Sequence, residues 1–322
     1  MTDTPQAPWW RGAVIYQVYP RSFFDSNGDG IGDLPGITEK LDHIAGLGVD
    51  ALWISPFFKS PMRDFGYDVA DYRCVDPMFG GNHDFELLIA EAHARGLKII
   101  VDMVLAHTSD EHAWFEESRQ NRDNPKADWY VWADPRRDGT PPNNWMSVFG
   151  GPSWQWDSRR SQYYLHHFLK SQPNLNWHNP DVVAAMLAET EFWLQHGVDG
   201  LRLDAITTLV HDKALRDNPA MEATSKADIA GGRSSPFAYQ EHIHDRDQAE
   251  IMDCFRALRS LTERYPDRMM VGEVADVDSI DATARYTRGQ EALHTAYTFQ
   301  LTQRDLSWHR LRSIVARFEA AI

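Results

Sequence analysis

"AETEFWLQHGVDGLRLDAI", residues 188 to 206, joins two patterns at a glycine. Apolar residues first recur at helical spacing, Gly197 stops the helix, and after a short turn the run from Gly200 to Ile206 reads as a buried strand. That strand carries Arg202 and Asp204. Two positions apart, they leave the same face, and a core strand has no packing reason to hold them. The plan recurs in "EKLDHIAGLGVDALWISP" (39 to 56) and "LLIAEAHARGLKIIVDMVL" (87 to 105), whose helices stop at Gly46 or Gly48 and at Gly96. A further copy, "FRALRSLTERYPDRMMVGEV" (255 to 274), turns at Tyr265-Pro266 instead. "AVIYQVYP" (13 to 20) reads as the first strand and "HTAYTFQL" (294 to 301) as the sixth, with a helix from Ser307 onward.

Helices alternating with strands imply an α/β protein with a parallel sheet covered by helices. A doubly wound sheet would gather its site at one switch point, whereas a (β/α)8 TIM barrel collects site residues from the carboxyl ends of many strands. His107 follows the third strand, Asp204 ends the fourth and Glu273 the fifth, so the barrel fits better. About six of eight strand and helix units are expected. Between the third strand and the helix near Asp181 lie about seventy residues, too many for an ordinary connection. This stretch is rich in Pro, Gly and Asn and holds seven of the 12 tryptophans. The expected organisation is a first part of the barrel over 1–104, an inserted subdomain over 105–180, and the barrel continued but incomplete over 181–322.

With 43% hydrophobic and 12% aromatic residues the chain can bury a large core. A formal net charge of -15 disfavours nucleic acid and anionic membranes. No apolar run approaches the roughly 18 residues needed to span a bilayer, and "MTDTPQAPWW" lacks the marks of a leader, so a cytoplasmic protein is expected. Cys74 and Cys254 have no metal or redox spacing and read as free, buried thiols.

At the mouth of a barrel, Arg202 would orient the Asp204 carboxylate and favour its charged form. A structural ion pair at a strand end is the plainer alternative. Glu273 in "MMVGEVAD" takes the same terminal place on the next strand. Two carboxylates so placed supply what glycosidic cleavage needs, one to attack and one to protonate the leaving oxygen. "DMVLAHTS" adds Asp102 and His107, the latter either a donor to a sugar hydroxyl or a satisfied core histidine.

"DMVLAHTS", "GLRLDAI", "GEVAD" and "QPNLN" (172 to 176) resemble, in order and spacing, motifs of glycoside hydrolase family 13, the α-amylase family. With "AVIYQVYPRSFFDSNGDGIGDLPGI" (13 to 37), the resemblance is closest to its α-glucosidase and oligo-1,6-glucosidase branch, and it extends from Trp9 onward. It implies that Asp204 is the nucleophile of a retaining double displacement and Glu273 the general acid and base. It implies a glucose subsite formed by Arg202, His107, Tyr67 and Asp68, with Phe149 and Phe168 as walls. Ala205 replaces the valine of 1,6-cleaving relatives, which implies a preference for α-1,4 links. The expected enzyme is an α-glucosidase that releases glucose from short, neutral α-glucosides such as maltose or transfers it to acceptor alcohols. A sucrose isomerase or trehalose synthase and an inactive carbohydrate-binding relative are the alternatives.

"DSNGDGIGD" (25 to 33) starts like a calcium-binding EF-hand loop but has Gly36 where such a loop ends in glutamate. The resemblance implies one structural calcium or magnesium ion held by Asp25, Asn27, Asp29, the Ile31 carbonyl and Asp33; an ion-free loop of Asx turns is the alternative. No organic cofactor is expected. Ala106 replaces the asparagine that helps amylases bind a second calcium, so none is expected there. The family's third catalytic carboxylate sits in an Asn-His-Asp segment after the seventh strand, which this sequence does not contain. An amino-terminal piece of a longer enzyme is therefore the expectation. Nothing in the sequence fixes an oligomeric state.

Overall fold

Successive side chains of a strand leave a sheet on opposite faces, and here the two faces bury against different partners. Leu52 and Ile54, Ile99 and Val101, Leu201 and Leu203, and Met270 and Val274 belong to the main core under the helices. Ala51, Ile100 and Met269 form a separate small cluster with Trp53 and Val271 on the opposite, inner face. A sheet buried on both faces accounts for the near-continuous apolar runs seen in the sequence.

The computed structural model describes residues 7–221, 236–275, 279–289, 291–302 and 307–321. Its main sheet comprises β1 (Ile15–Val18), β2 (Ala51–Ile54), β3 (Lys98–Met103), β4 (Gly200–Leu203), β5 (Met269–Val274) and β6 (Thr295–Thr298). All five pairings are parallel. Strand order follows chain order without reversal. This is the wall of a (β/α) barrel; a doubly wound sheet would reverse at its switch point.

Helices Leu41–Gly46, Asn82–Ala94 and Pro180–Gln195 precede β2, β3 and β4. Each is followed by a left-handed glycine, Gly48 at φ +75°, Gly96 at +75° and Gly197 at +92°, which turns the chain back along the sheet. Before β5, where the sequence has Tyr265-Pro266, Asp267 takes that role at φ +56°. The helix Pro180–Gln195 starts where its residues dictate: the Asn179 side chain accepts from the Asp181 N–H and Pro180 occupies the first turn.

Between β3 and that helix lies a three-stranded antiparallel sheet of Trp132–Ala133, Gln162–Leu165 and Trp154–Asp157. It has a core of its own, made by Val131, Ala133, Trp145, Trp154 and Leu165. The "QPNLN" stretch stitches it to the barrel. Asn174 accepts from Val131 N through its carbonyl and from His167 N through its side chain, and its side-chain amide donates to the Ala106 carbonyl at 3.2 Å. Leu175 N also donates to Ala106 O.

Cys254 is buried and Cys74 is exposed; both are free. The expectation for Cys74 fails because Cys74 and its neighbour Arg73 are both exposed on Asp71–Val75, a strand of an irregularly paired two-stranded ribbon. Among the described residues no helix is long and apolar enough to cross a membrane.

Gly36, which ends the resemblance of the 25–33 loop to an EF-hand, has a steric reason. A Cβ there would sit 2.1 Å from the Phe24 carbonyl oxygen, while Gly36 N donates to Asp33 at 2.6 Å. Gly36→Ala is expected to lower stability by about 1–3 kcal/mol, because rigid backbone must move. Gly46→Ala, with nothing within 4 Å of its Cβ, should be neutral or slightly stabilising. Urea denaturation of the two variants side by side checks this contrast.

Candidate active site

Parallel register sets the site. Asp102 on β3 is the direct partner of Arg202 on β4, and Glu273 on β5 is the direct partner of Tyr297 on β6. Directly paired residues of parallel strands share a face, so four polar side chains converge at the carboxyl ends of the strands, above the apolar inner cluster.

The Arg202 guanidinium is the hub. Its Nη1 donates to Asp102 Oδ1 at 2.7 Å and to Asp204 Oδ1 at 2.6 Å, and Nη2 donates to Glu273 Oε2. Nε and Nη2 donate to the Tyr297 hydroxyl at 3.0 and 2.9 Å. Trp53 and Tyr67 place their rings 5.1 and 5.8 Å from its charged carbon. The carboxylates surrounding this cation push its already high pKa further up, against its own burial. Arg202 is a permanent charge. Asp102 is 1% exposed; burial pushes its carboxyl above the ordinary range, while Arg202 pulls it back. Its second oxygen accepts from Trp53 Nε1 at 3.2 Å and from the Tyr67 hydroxyl at 3.5 Å.

Asp204 lies one residue past β4, with its N–H donated to the Met103 carbonyl. Ala205 follows in the left-handed region at φ 42°, ψ 42°. A non-glycine residue rarely holds this conformation, and a β-branched one holds it less readily than alanine.

The remaining expected residues gather beside this hub. Asp68, fully buried, accepts from Ser60 Oγ, Arg63 N and Asp64 N. His107 Nε2 lies 3.1 Å from the Tyr67 carbonyl and 3.1 Å from Gln172 Nε2, one an acceptor and the other a donor. Its Nδ1 is buried without a partner, and burial lowers the ring's pKa, which favours neutral imidazole. Phe168 packs 5.2 Å from His107, and Phe149, 56% exposed, lies 5.7 Å from Phe168 at the rim.

Trp53, Tyr297, Gln172 and Asp64 were not anticipated as site residues. Trp53 and Tyr297 look like ordinary core aromatics in "ALWISP" and "HTAYTF"; period two within each strand is the signal that places them beside Arg202. Gln172 is fully buried and donates to Asp64 at 2.8 Å. Burial pushes the Asp64 carboxyl up to about 6, against that hydrogen bond.

The loop of Asp25, Asn27, Asp29, Ile31 and Asp33 is separate from this hub and closed by its own amides. Asp25 accepts from the N–H groups of Asn27, Gly28 and Gly30. Asn27 accepts from Asp29 N, and Asp29 from Ile31 N. The backbone donors, Gly30 first, hold the Asp25 carboxyl below its ordinary value. Asp33 accepts from Gly36 N as the cap of the helix Leu34–Glu39 and also from Ser26. Among the described residues no three His, Cys, Asp or Glu side chains cluster as a metal site. The donors are all oxygen, as a hard cation requires, and Asn27 and the Ile31 carbonyl complete the set. Asp276 of "GEVAD" lies outside the described residues.

The α-amylase catalytic-domain model matches residues 17–319. The chain belongs to the α-amylase family. It is 54% identical over 319 residues to a probable α-glucosidase of Rhizobium meliloti (strain 1021), covering 98% of this chain and 58% of that protein. It is 57% identical over 201 residues to an oligo-1,6-glucosidase of Heyndrickxia coagulans, covering 62% and 36%. Among solved structures, an α-glucosyl transfer enzyme, XgtA, superposes with a TM-score of 0.97 at 58% identity, covering 98% of this chain and 59% of that one. The chain thus spans little more than half the length of relatives it matches end to end.

Arg202→Met should cost about 3–5 kcal/mol, because Asp102 would be left as an unpaired buried charge. The loss should depend on pH. A carboxyl whose pKa is higher folded than unfolded loses stability as pH rises through that interval, and removing Arg202 pushes Asp102 further up. The variant should therefore approach wild-type stability near pH 5 and diverge by pH 8, as measured by urea midpoints at both values.

Proposed function

We propose that this chain carries the nucleophile and the acid-base residue of a retaining α-glucosidase acting on short α-1,4-glucosides such as maltose. The carrying observation is that Arg202 is hydrogen-bonded to both Asp204 and Glu273 at adjacent strand ends. A single guanidinium thereby fixes two carboxylates around one point in the barrel mouth.

Asp204 attacks the anomeric carbon as the bond from that carbon to the leaving oxygen breaks, and Glu273 gives its proton to that oxygen. Water then loses a proton to Glu273 and attacks the same carbon, and Asp204 is released. Two displacements retain configuration. An acceptor alcohol in place of water gives transfer, the activity named for XgtA. His107, Tyr67 and Asp68 line the glucose side and Phe149 and Phe168 the rim. The small Ala205 beside the nucleophile favours α-1,4 over α-1,6 links. Neutral substrates suit a chain of net charge -15, which disfavours nucleic acid and anionic membranes as partners. Two free cysteines fit a reducing, cytoplasmic setting.

Asp204→Asn is expected to abolish turnover. Glu273→Gln should slow maltose by at least about a hundredfold while sparing much of the activity on a nitrophenyl α-glucoside, whose leaving group needs little protonation. Equal losses on both substrates would remove Glu273 as the acid. Retention of all sugar as disaccharide would point to an isomerase instead.

The loop of Asp25, Asn27, Asp29, the Ile31 carbonyl and Asp33 is proposed to hold one structural calcium or magnesium ion. Its support is an all-oxygen donor set at the spacing a hard cation uses, with Asp25 held toward its charged form. Calcium or magnesium should raise the thermal midpoint, EDTA should lower it, and Asp25→Asn should remove the response. A midpoint indifferent to all three treatments would mean an ion-free loop.

A further inference from the structure

At the amino-terminal ends of β3, β4 and β5, on the opposite side of the barrel from Arg202, lies a cavity of about 280 Å3. Lys98 opens β3, Asp199 precedes β4 and Arg268 precedes β5; with His93 at the end of its helix they supply the polar lining. Asp199 is 1% exposed and saturated. Its Oδ1 accepts from Lys98 Nζ at 3.1 Å and Arg268 Nη1 at 3.4 Å, and Oδ2 accepts from Ile99 N at 2.9 Å and meets His93 Nε2 at 2.6 Å.

The basic groups are not saturated. Lys98 Nζ has three N–H donors and gives one to Asp199. Arg268 gives Nη1 to Asp199 and to the Pro266 carbonyl, while its Nε is cut off from solvent with no partner. A buried guanidinium N–H left unpaired is costly. Lys98 and Arg268 against Asp199 also leave one surplus positive charge, and two when His93 is protonated. A neutral ligand would leave that surplus uncompensated. Within a chain of net charge -15 this is an unusual place for an anion to be attracted.

We propose that this cavity binds a tetrahedral oxyanion, the phosphate group of orthophosphate or of a sugar phosphate. Its several acceptor oxygens match the spare donors of Lys98 and the unused Nη2 of Arg268, and the cavity leaves room beyond the phosphate for an ester substituent. Asp199 holds both cations in place from behind.

The test is calorimetric titration with orthophosphate and with glucose 6-phosphate at fixed ionic strength, with chloride as control, alongside thermal midpoints. One phosphate group should bind per chain and raise the midpoint. Lys98→Gln and Arg268→Gln should each weaken binding about tenfold or more. Neither residue touches the Arg202 site, so turnover of an α-glucoside should be unchanged, which also shows that each variant is folded. Arg268→Lys, which keeps the charge but loses the fork, should weaken binding less than Arg268→Gln. Equal binding of both ligands would identify orthophosphate chemistry, and binding of glucose 6-phosphate alone would identify an ester. Failure of both ligands to bind, or binding unchanged by Lys98→Gln and Arg268→Gln, overturns the proposal.

Discussion

One guanidinium organises the mouth of this barrel. Asp102, Asp204 and Glu273 bring three carboxyl groups from three successive strands into contact with Arg202, and no other cation in contact with them is found among the described residues. Removing three acids from water requires a compensating charge that can address each of them in a fixed direction. A planar fork with five donors does so, and a lysine ammonium on a flexible stem would not. Tyr297 accepts from Nε and, together with Glu273, from Nη2, so the guanidinium has little freedom to rotate.

The sheet makes this hub possible by what it puts beneath it. Ala51, Ile100 and Met269 fill the inner face below the polar layer, and Gly200 and Gly272 keep two strands without side chains at crowded points. A Cβ at Gly200 would lie 2.9 Å from Ile100, and one at Gly272 2.6 Å from both Ile206 and Leu293. Small residues on β4 and β5 thus let apolar neighbours close around the strands that carry Arg202 and Glu273. The apolar layer below and the polar layer above are successive inner-facing residues of the same few strands.

Much of this was legible in the sequence because it rests on short-range rules. Spacing of two placed Arg202 and Asp204 on one face, and helix-stopping glycines marked where β2, β3 and β4 begin. The spread of His107, Asp204 and Glu273 over three strands separated the barrel from a doubly wound sheet. What stayed hidden depends on contacts between distant segments. Gln172 meets Asp64 across 108 positions and His107 across 65, and no local pattern encodes that meeting. Trp53 and Tyr297 were hidden differently, since an aromatic on a strand has an adequate explanation as core. Cys74 misled because its ribbon pairs irregularly and leaves Arg73 and Cys74 exposed between buried Tyr72 and Val75, which no alternation in the sequence marks.

The stitching of residues 172 to 176 bears on how such a protein can be recombined. Asn174 and Leu175 are bonded on one side to Ala106, just beyond β3, and on the other to residues inside the insertion. Gln172 meanwhile reaches Asp64 and His107 in the barrel mouth. The insertion is therefore not an interchangeable module hung on a loop. A chimera that took this subdomain from a relative while keeping the host's 172–176 segment would sever its own seam. Compatible grafts must carry that segment with them, along with the side chains at 64 and 107 that it grips.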